Sequence, residues 1–244
     1  MSESENCSNR SKRSNRFTGY GELEQNAHSS AKRLEQLEPL ERLEPLLPIK
    51  LYNVAYSGNS YKVRLLLAQL DIPCEIIEVD ILNGESRTAE FLRINPNGRT
   101  PVLDDGGFVL AESNAILAYV ARGTKFLPED RKSWARVFQW MFFEQYSHEP
   151  FIATSRFWLQ HKPDSSERSA LLASKRGGGW AALKVMEEHL SRNDFFVSDY
   201  SIADIALFAY THVSHEGGFP LDDFPKIRAW IARVKAQPGF VSML

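Results

Sequence analysis

Three short polar clusters hold the side chains best suited to chemistry: Ser57-Gly58-Asn59-Ser60-Tyr61-Lys62-Val63, Arg99-Thr100-Pro101-Val102 and Glu112-Ser113. Ser57 and Asn59 stand directly before an apolar helical pattern. A hydroxyl, an amide NH2 and the unpaired N–H groups of a first helical turn can converge there on one anion. A plain helix cap draws on the same residue types, although one cap needs only one of the two. Glu112 and Ser113 open a second helical pattern and offer complementary charge. The carboxylate suits an ammonium, while the hydroxyl and the helix N-terminus suit a carboxylate. Glutamate in a first turn also favours the helix dipole with no ligand present. Arg99 adds a cationic head, and Thr100-Pro101 at a strand start is compatible with the cis form, although the sequence does not assign the isomer.

Short alternating elements must position these clusters. The run IKLYNV from Ile49 reads as a strand, and Val63, Leu66, Leu67 and Leu70 form one apolar stripe of a helix that ends before Asp71 and Pro73. EIIEVDI reads as a second strand, Asn83-Gly84 as a turn, and residues 88 to 93 as a short helix. TPVL and FVL flank Asp104-Asp105-Gly106-Gly107, where an Asp-Gly pair is expected to supply the positive φ angles of a hairpin. A helix from Glu112 to Ala121 follows. Strand, helix, strand, link, strand, strand, helix is a thioredoxin-like α/β order, here over 49–126. Beyond Phe126 the strands stop. Helical periods begin at Trp134, Val137, Phe138 and Met141 and recur at Ala182–Leu190, Ile202–Ala209 and Ile227–Val234, predicting an all-helical domain over 131–244. Gly177-Gly178-Gly179 is expected to interrupt one of its helices. Residues 1–48 differ in texture: Ser, Asn and Arg crowd the start, and Pro39 and Pro45 break a Leu-Glu repeat. That composition predicts a disordered extension.

Composition narrows the functional class. The 244 residues are 43% apolar and 25% charged, as in ordinary globular domains, and 29 basic against 31 acidic residues give a net charge of −2. Such a balance offers no bulk basicity for a nucleic-acid backbone. The two cysteines, Cys7 and Cys74, build neither a disulfide framework nor a zinc shell, which points to a reducing, cytoplasmic compartment. No stretch has the length and apolarity of a membrane span, and no signal-peptide core precedes Ile49.

In their order and spacing the three clusters resemble the cytosolic glutathione transferases, and the resemblance continues through SIADIALFAY from Ser201. Ser-Gly-Asn-Ser-Tyr-Lys-Val is most similar to the bacterial nu-class loop, with the theta class next. The resemblance implies a homodimer active in detoxification, with glutathione as co-substrate and neither cofactor nor metal. It implies that Ser57 first, and Asn59 second, stabilise the thiolate of glutathione, since a free thiol has a pKa of about 8.5 and is mostly neutral at pH 7. It places the backbone of Thr100, before a cis Pro101, against the cysteinyl portion, and Arg99 against the glycyl carboxylate. Arg87 is a further candidate there and equally suits a solvated surface. Glu112 and Ser113 would clamp the γ-glutamyl end. Tyr56, Trp140, Phe143, Tyr146 and Arg156 fall where the family builds its hydrophobic substrate site. Aromatic residues at helical spacing more often form a core, and Arg156 equally suits an interhelical salt bridge. The second substrate is then a small hydrophobic electrophile, a disulfide or a peroxide. A noncatalytic interaction module of the same fold is the alternative from another class.

Three other features are read as structural. Ser201-Ile202-Ala203-Asp204 fits a capping box, which assigns Asp204 to folding. His212, His215 and Glu216 have no distant third ligand and read as satisfied structural residues. Cys74 stands away from any helix N-terminus and reads as inert packing.

Overall fold

A computed structural model describes residues 49–244, so the 1–48 extension lies outside the described residues. Strand β1 (Ile49–Asn53) leads through helix α1 (Gly58–Gln69) to β2 (Cys74–Glu78). A 3₁₀ turn (Glu85–Arg87) and a short helix α2 (Ala89–Ile94) precede the hairpin β3 (Val102–Asp105) and β4 (Phe108–Ala111) and helix α3 (Ser113–Val120). The sheet order is β2-β1-β3-β4, with β1 parallel to β2 and both other pairings antiparallel. This is the thioredoxin-like unit. Gly106 (φ 59) and Gly107 (φ 98) make the hairpin turn, so the two positive angles fall on a Gly-Gly pair and Asp105 stays in the strand. Two glycines adopt such angles without the Cβ penalty an aspartate would meet.

Five helices follow: α4 (Arg131–Phe143), α5 (Glu149–His161), α6 (Ser166–Leu190), α7 (Ile202–Thr211) and α8 (Pro225–Lys235). Asp130 starts α4 by accepting from the N–H groups of Lys132 (3.2 Å) and Ser133 (3.0 Å), a cap typically worth about 1 kcal/mol. A π turn, Glu144–His148, joins α4 to α5, and Pro150 then contributes no N–H to the first turn of α5. Helix α6 is unbroken for 25 residues, against the interruption expected at its glycines. A Cβ on Gly178 would lie 2.3 Å from the Phe151 ring, and one on Gly179 would lie 2.3 Å from Phe219. The helix accepts poor propensity there because neighbouring rings need its bare backbone.

The apolar residues of α1 do not form one stripe. Val63 and Leu67 pack on the sheet with Leu51 and Leu103, whereas Leu65, Leu66 and Leu70 join the helical core around Leu207 and Phe208. The helix is buried on both sides, so its periodicity reports two interfaces at once. This sandwiching brings the N-terminus of α1 against α7. No helix among the described residues is long and apolar enough to cross a membrane.

Candidate functional site

At the N-terminus of α1, Ser57 is the cap, its Oγ accepting from the Ser60 N–H at 3.4 Å. That bond uses an oxygen lone pair, and the hydroxyl proton lies against the Tyr210 phenol, so capping is compatible with turning that proton toward an anion. Asn59 is more committed. Its Nδ2 donates to Glu149 Oε1 (2.8 Å), and its Oδ1 accepts from Ser113 Oγ (3.2 Å).

The opposite wall is the turn ending in the cis Thr100-Pro101 bond. Asn95 holds it by donating to the Arg99 carbonyl (2.8 Å) and accepting from the Asn97 N–H (3.1 Å). Arg87 donates to the Asn97 carbonyl (2.9 Å), so its guanidinium braces the loop while still bordering the cleft. Glu112 precedes α3 rather than lying inside its first turn, with φ 72 and ψ 113. A non-glycine residue in that region is uncommon and strained, and such strain concentrates at functional positions. Glu112, Ser113, Thr100, Arg99 and Asn59 border one small cavity of about 40 Å³, so the sequence-predicted polar residues do converge.

Beside it opens a cleft of about 500 Å³ into which Ser57 and Tyr56 face. Helix α5 supplies the far wall through Glu149, Ala153, Arg156, Phe157, Gln160 and His161, a spacing of three and four that marks one helical face. Tyr56 lies against His161, ring centroids 4.6 Å apart, and His161 against Phe157 at 5.0 Å. Burial, and then the nearby Arg156 and Lys162 charges, lower the His161 pKa, so it is neutral at pH 7. Arg156 borders the cleft, and its Nε meets Glu216 Oε2, on a 3₁₀ turn, at 2.6 Å while Nη1 donates to the Tyr56 carbonyl at 2.8 Å.

Three expected residues of the hydrophobic wall lie elsewhere. Trp140 is a core residue, its ring 4.7 Å from both His189 and Phe196, and Phe143 packs beside it at 5.2 Å. Tyr146 is 85% exposed. The π turn inserts an extra residue into the helical period, so a pattern begun on α4 cannot be extended in phase into α5. Ala153, Phe157 and His161 recur on α5 at steps of four, the sequence signal that marks this wall.

Sequence reading also missed a buried charge cluster under the site. Lys62 Nζ lies 2.9 Å from Glu144 Oε1 and 3.7 Å from Glu149 Oε2, and 3.4 Å from Ser113 Oγ. Burial, opposed by Lys62 and reinforced by Glu149, pushes the Glu144 carboxyl up to about 7. Tyr210 completes the floor, its hydroxyl accepting from the Asn59 N–H at 3.3 Å. Elsewhere, Cys74 is half-buried and burial raises its thiol to about 11, so it stays protonated at neutral pH. His212 stacks on Phe208 with centroids 4.4 Å apart.

Comparisons with known proteins agree on one family. The family model described as "Glutathione S-transferase, N-terminal domain" matches residues 47–122, and "Glutathione S-transferase, C-terminal domain" matches 139–238. The crystal structure of a glutathione S-transferase from Pseudomonas fluorescens is 48% identical, with a TM-score of 0.79 over 81% of this chain and 100% of that one. Glutathione S-transferase 3 of Zea mays is 31% identical over 204 residues, 79% of this chain and 91% of its own. Disulfide-bond oxidoreductase YfcG of Escherichia coli is 28% identical, over 78% of this chain and 92% of its own.

Proposed function

This chain belongs to the glutathione S-transferase family, and we propose that it binds glutathione between Thr100 and Glu112-Ser113 and activates its sulfur at Ser57 for attack on a hydrophobic electrophile. The observation that carries the reading is the convergence of Thr100, Glu112 and Ser113 on one cavity that shares its Asn59, Arg99 and Thr100 wall with the cleft lined by Ser57, Tyr56, Phe157 and His161. Glutathione has one ammonium and two carboxylates. Glu112 pairs with the ammonium, the N–H groups at the N-terminus of α3 receive the adjacent carboxylate, with the Ser113 hydroxyl turning to it from Asn59 Oδ1, and Arg99 reaches the glycyl carboxylate. The N–H and carbonyl of Thr100 enter none of the described loop hydrogen bonds and are free to pair with the peptide backbone of the cysteinyl residue. The thiolate then forms a bond to carbon, and the leaving group departs with the electron pair.

A second reading rests on the resemblance to the oxidoreductase named above. In it the thiolate attacks one sulfur of a disulfide and releases the other as thiolate, and a second glutathione resolves the mixed disulfide to oxidised glutathione. A hydroperoxide would be reduced to an alcohol and water by the same two glutathiones. The protein acts in the cytoplasm as a homodimer; exposed Trp134 and Phe142 on α4 and Phe108 on β4 offer apolar surface for that contact.

Glutathione calorimetry separates an enzyme from a noncatalytic scaffold, which need not bind. A panel of an aryl halide, a mixed disulfide and a hydroperoxide then separates the reactions. Turnover of the aryl halide alone supports transfer, and turnover of only the other two overturns it in favour of reduction. Sedimentation at micromolar concentration tests the dimer.

A further inference from the structure

We propose that the Tyr210 hydroxyl is a second hydrogen-bond donor to the glutathione sulfur, delivered by the helical domain. The inference rests on the glutathione reading above. Tyr210 lies on α7, is only 7% exposed, and borders the same cleft as Ser57. Its ring is pressed so closely on the start of α1 that a Cβ on Gly58 would lie 2.6 Å from Cε1 and Cζ. Gly58 is therefore explained by access: only a bare backbone admits the phenol to this helix terminus.

The hydroxyl accepts from the Asn59 N–H at 3.3 Å, so a first-turn amide that would otherwise face an anion is capped by the phenol oxygen. A phenol has one proton to give in addition. Its other close partner is the Ser57 hydroxyl, so the phenol and Ser57 Oγ lie side by side at the edge of the cleft. The chain N–H to O–H to sulfur would carry the helix field onward, each bond polarising the next. Asn59 cannot substitute freely, because its side chain is held by Glu149 and Ser113.

The charges around Tyr210 fit a donor and not a base. Burial, with the Glu149 and Glu144 carboxylates on the facing elements, raises its pKa, against the opposing bonds from Ser57 and the Asn59 N–H. Tyr210 thus keeps its proton at every physiological pH. When glutathione ionises, the thiol proton goes to solvent and the phenol only donates a hydrogen bond to the resulting anion.

The test is Tyr210→Phe, which retains the ring against Gly58 and removes the oxygen. The thiolate absorbance of bound glutathione, titrated against pH, should shift upward by about one unit, and kcat below that pKa should fall about tenfold with little change in glutathione affinity. Ser57→Ala combined with Tyr210→Phe should shift the titration further than either alone, because two donors act on one sulfur. An unchanged titration in Tyr210→Phe overturns the inference. So does a shift that vanishes in the Ser57→Ala background, which would make Tyr210 a positioning residue for Ser57. If the parent protein shows no glutathione binding by calorimetry, the functional reading and this inference fall together; if it binds and the titration does not move, the inference alone falls.

Discussion

Two buried carboxylate sites in this chain are built on opposite plans. Asp204, at the start of α7, accepts from four neutral donors: the N–H groups of Phe196 (3.1 Å) and Ser201 (3.0 Å), Ser201 Oγ (3.2 Å) and Trp230 Nε1 (2.9 Å). Among the described residues no cation is involved. Under the cleft, Lys62 is shared by Glu144 and Glu149, and Glu144 Oε1 and Glu149 Oε2 meet it without a directed hydrogen bond. Nearby His148 bonds to Thr211 Oγ1 through Nε2 (2.9 Å), and its Nδ1 has no partner among the described residues. A carboxylate saturated by donors specifies one packing arrangement, while a cluster with unmet oxygens stays responsive to charge and protons. The first belongs to the fold and the second borders the chemistry.

The largest test of that contrast is Asp204→Ala. It strands four donors in the core, and urea unfolding at pH 8, above the carboxyl's raised pKa of about 6, should register a loss of about 4 kcal/mol. A loss below about 1 kcal/mol would mean that the core repacks around the gap and that the saturated site is not the keystone of α7.

Lys62→Met should cost about 3 kcal/mol at pH 8 and clearly less at pH 5. The sign follows from Glu144, whose carboxyl is raised from 4.5 to about 7 in the folded protein. The folded state therefore holds that proton more tightly than the unfolded chain does. The resulting stability is fully present below 4.5 and is lost as pH rises through about 7. Without Lys62 the carboxyl moves higher still, so stability should go on falling above pH 8 where the parent has levelled off. Superimposable pH profiles of the urea midpoint would show that the three charges are uncoupled.

At the sulfur, Ser57→Ala should raise the pKa of bound glutathione by about one to two units, since a bond to a charged group is worth about 1.5 to 3 kcal/mol. Asn59→Ala should do less, because one of its amide protons is held by Glu149. The reverse order would transfer the leading role to Asn59.

Glu112→Ala addresses the smallest effect, at an exposed site screened by solvent. The Michaelis constant for glutathione should rise about tenfold while kcat at saturation stays nearly constant, because the proposed γ-glutamyl contacts lie far from the sulfur and would be alike in ground and transition states. An equal fall in kcat would instead tie Glu112 to the reacting sulfur.

Much of this was open to reading in one dimension. The cap at Ser57, the Ser201/Asp204 capping box and the β3–β4 hairpin are local devices, and each emerged within a residue or two of its expected place. Glu112 was assigned to a helix because its neighbours are helical, yet its positive φ is imposed by the turn out of β4 and has no sequence marker. Trp140 takes the core place that helical spacing favours, while Tyr146 falls within the π turn, where the helical phase is reset, and stands exposed.

The amino-acid order by itself determined the element types, the two-part fold and the polar clusters at the starts of α1 and α3, because periodicity, caps and turns act over a few residues. Only the tertiary structure decided that Tyr210 reaches Asn59 across 151 residues of chain, that Asn59 is tied to Glu149 across 90, and that Lys62 is buried between two glutamates. Contacts at such separations depend on how α1, α5 and α7 close against one another, and no local pattern encodes the meeting of side chains that belong to different elements.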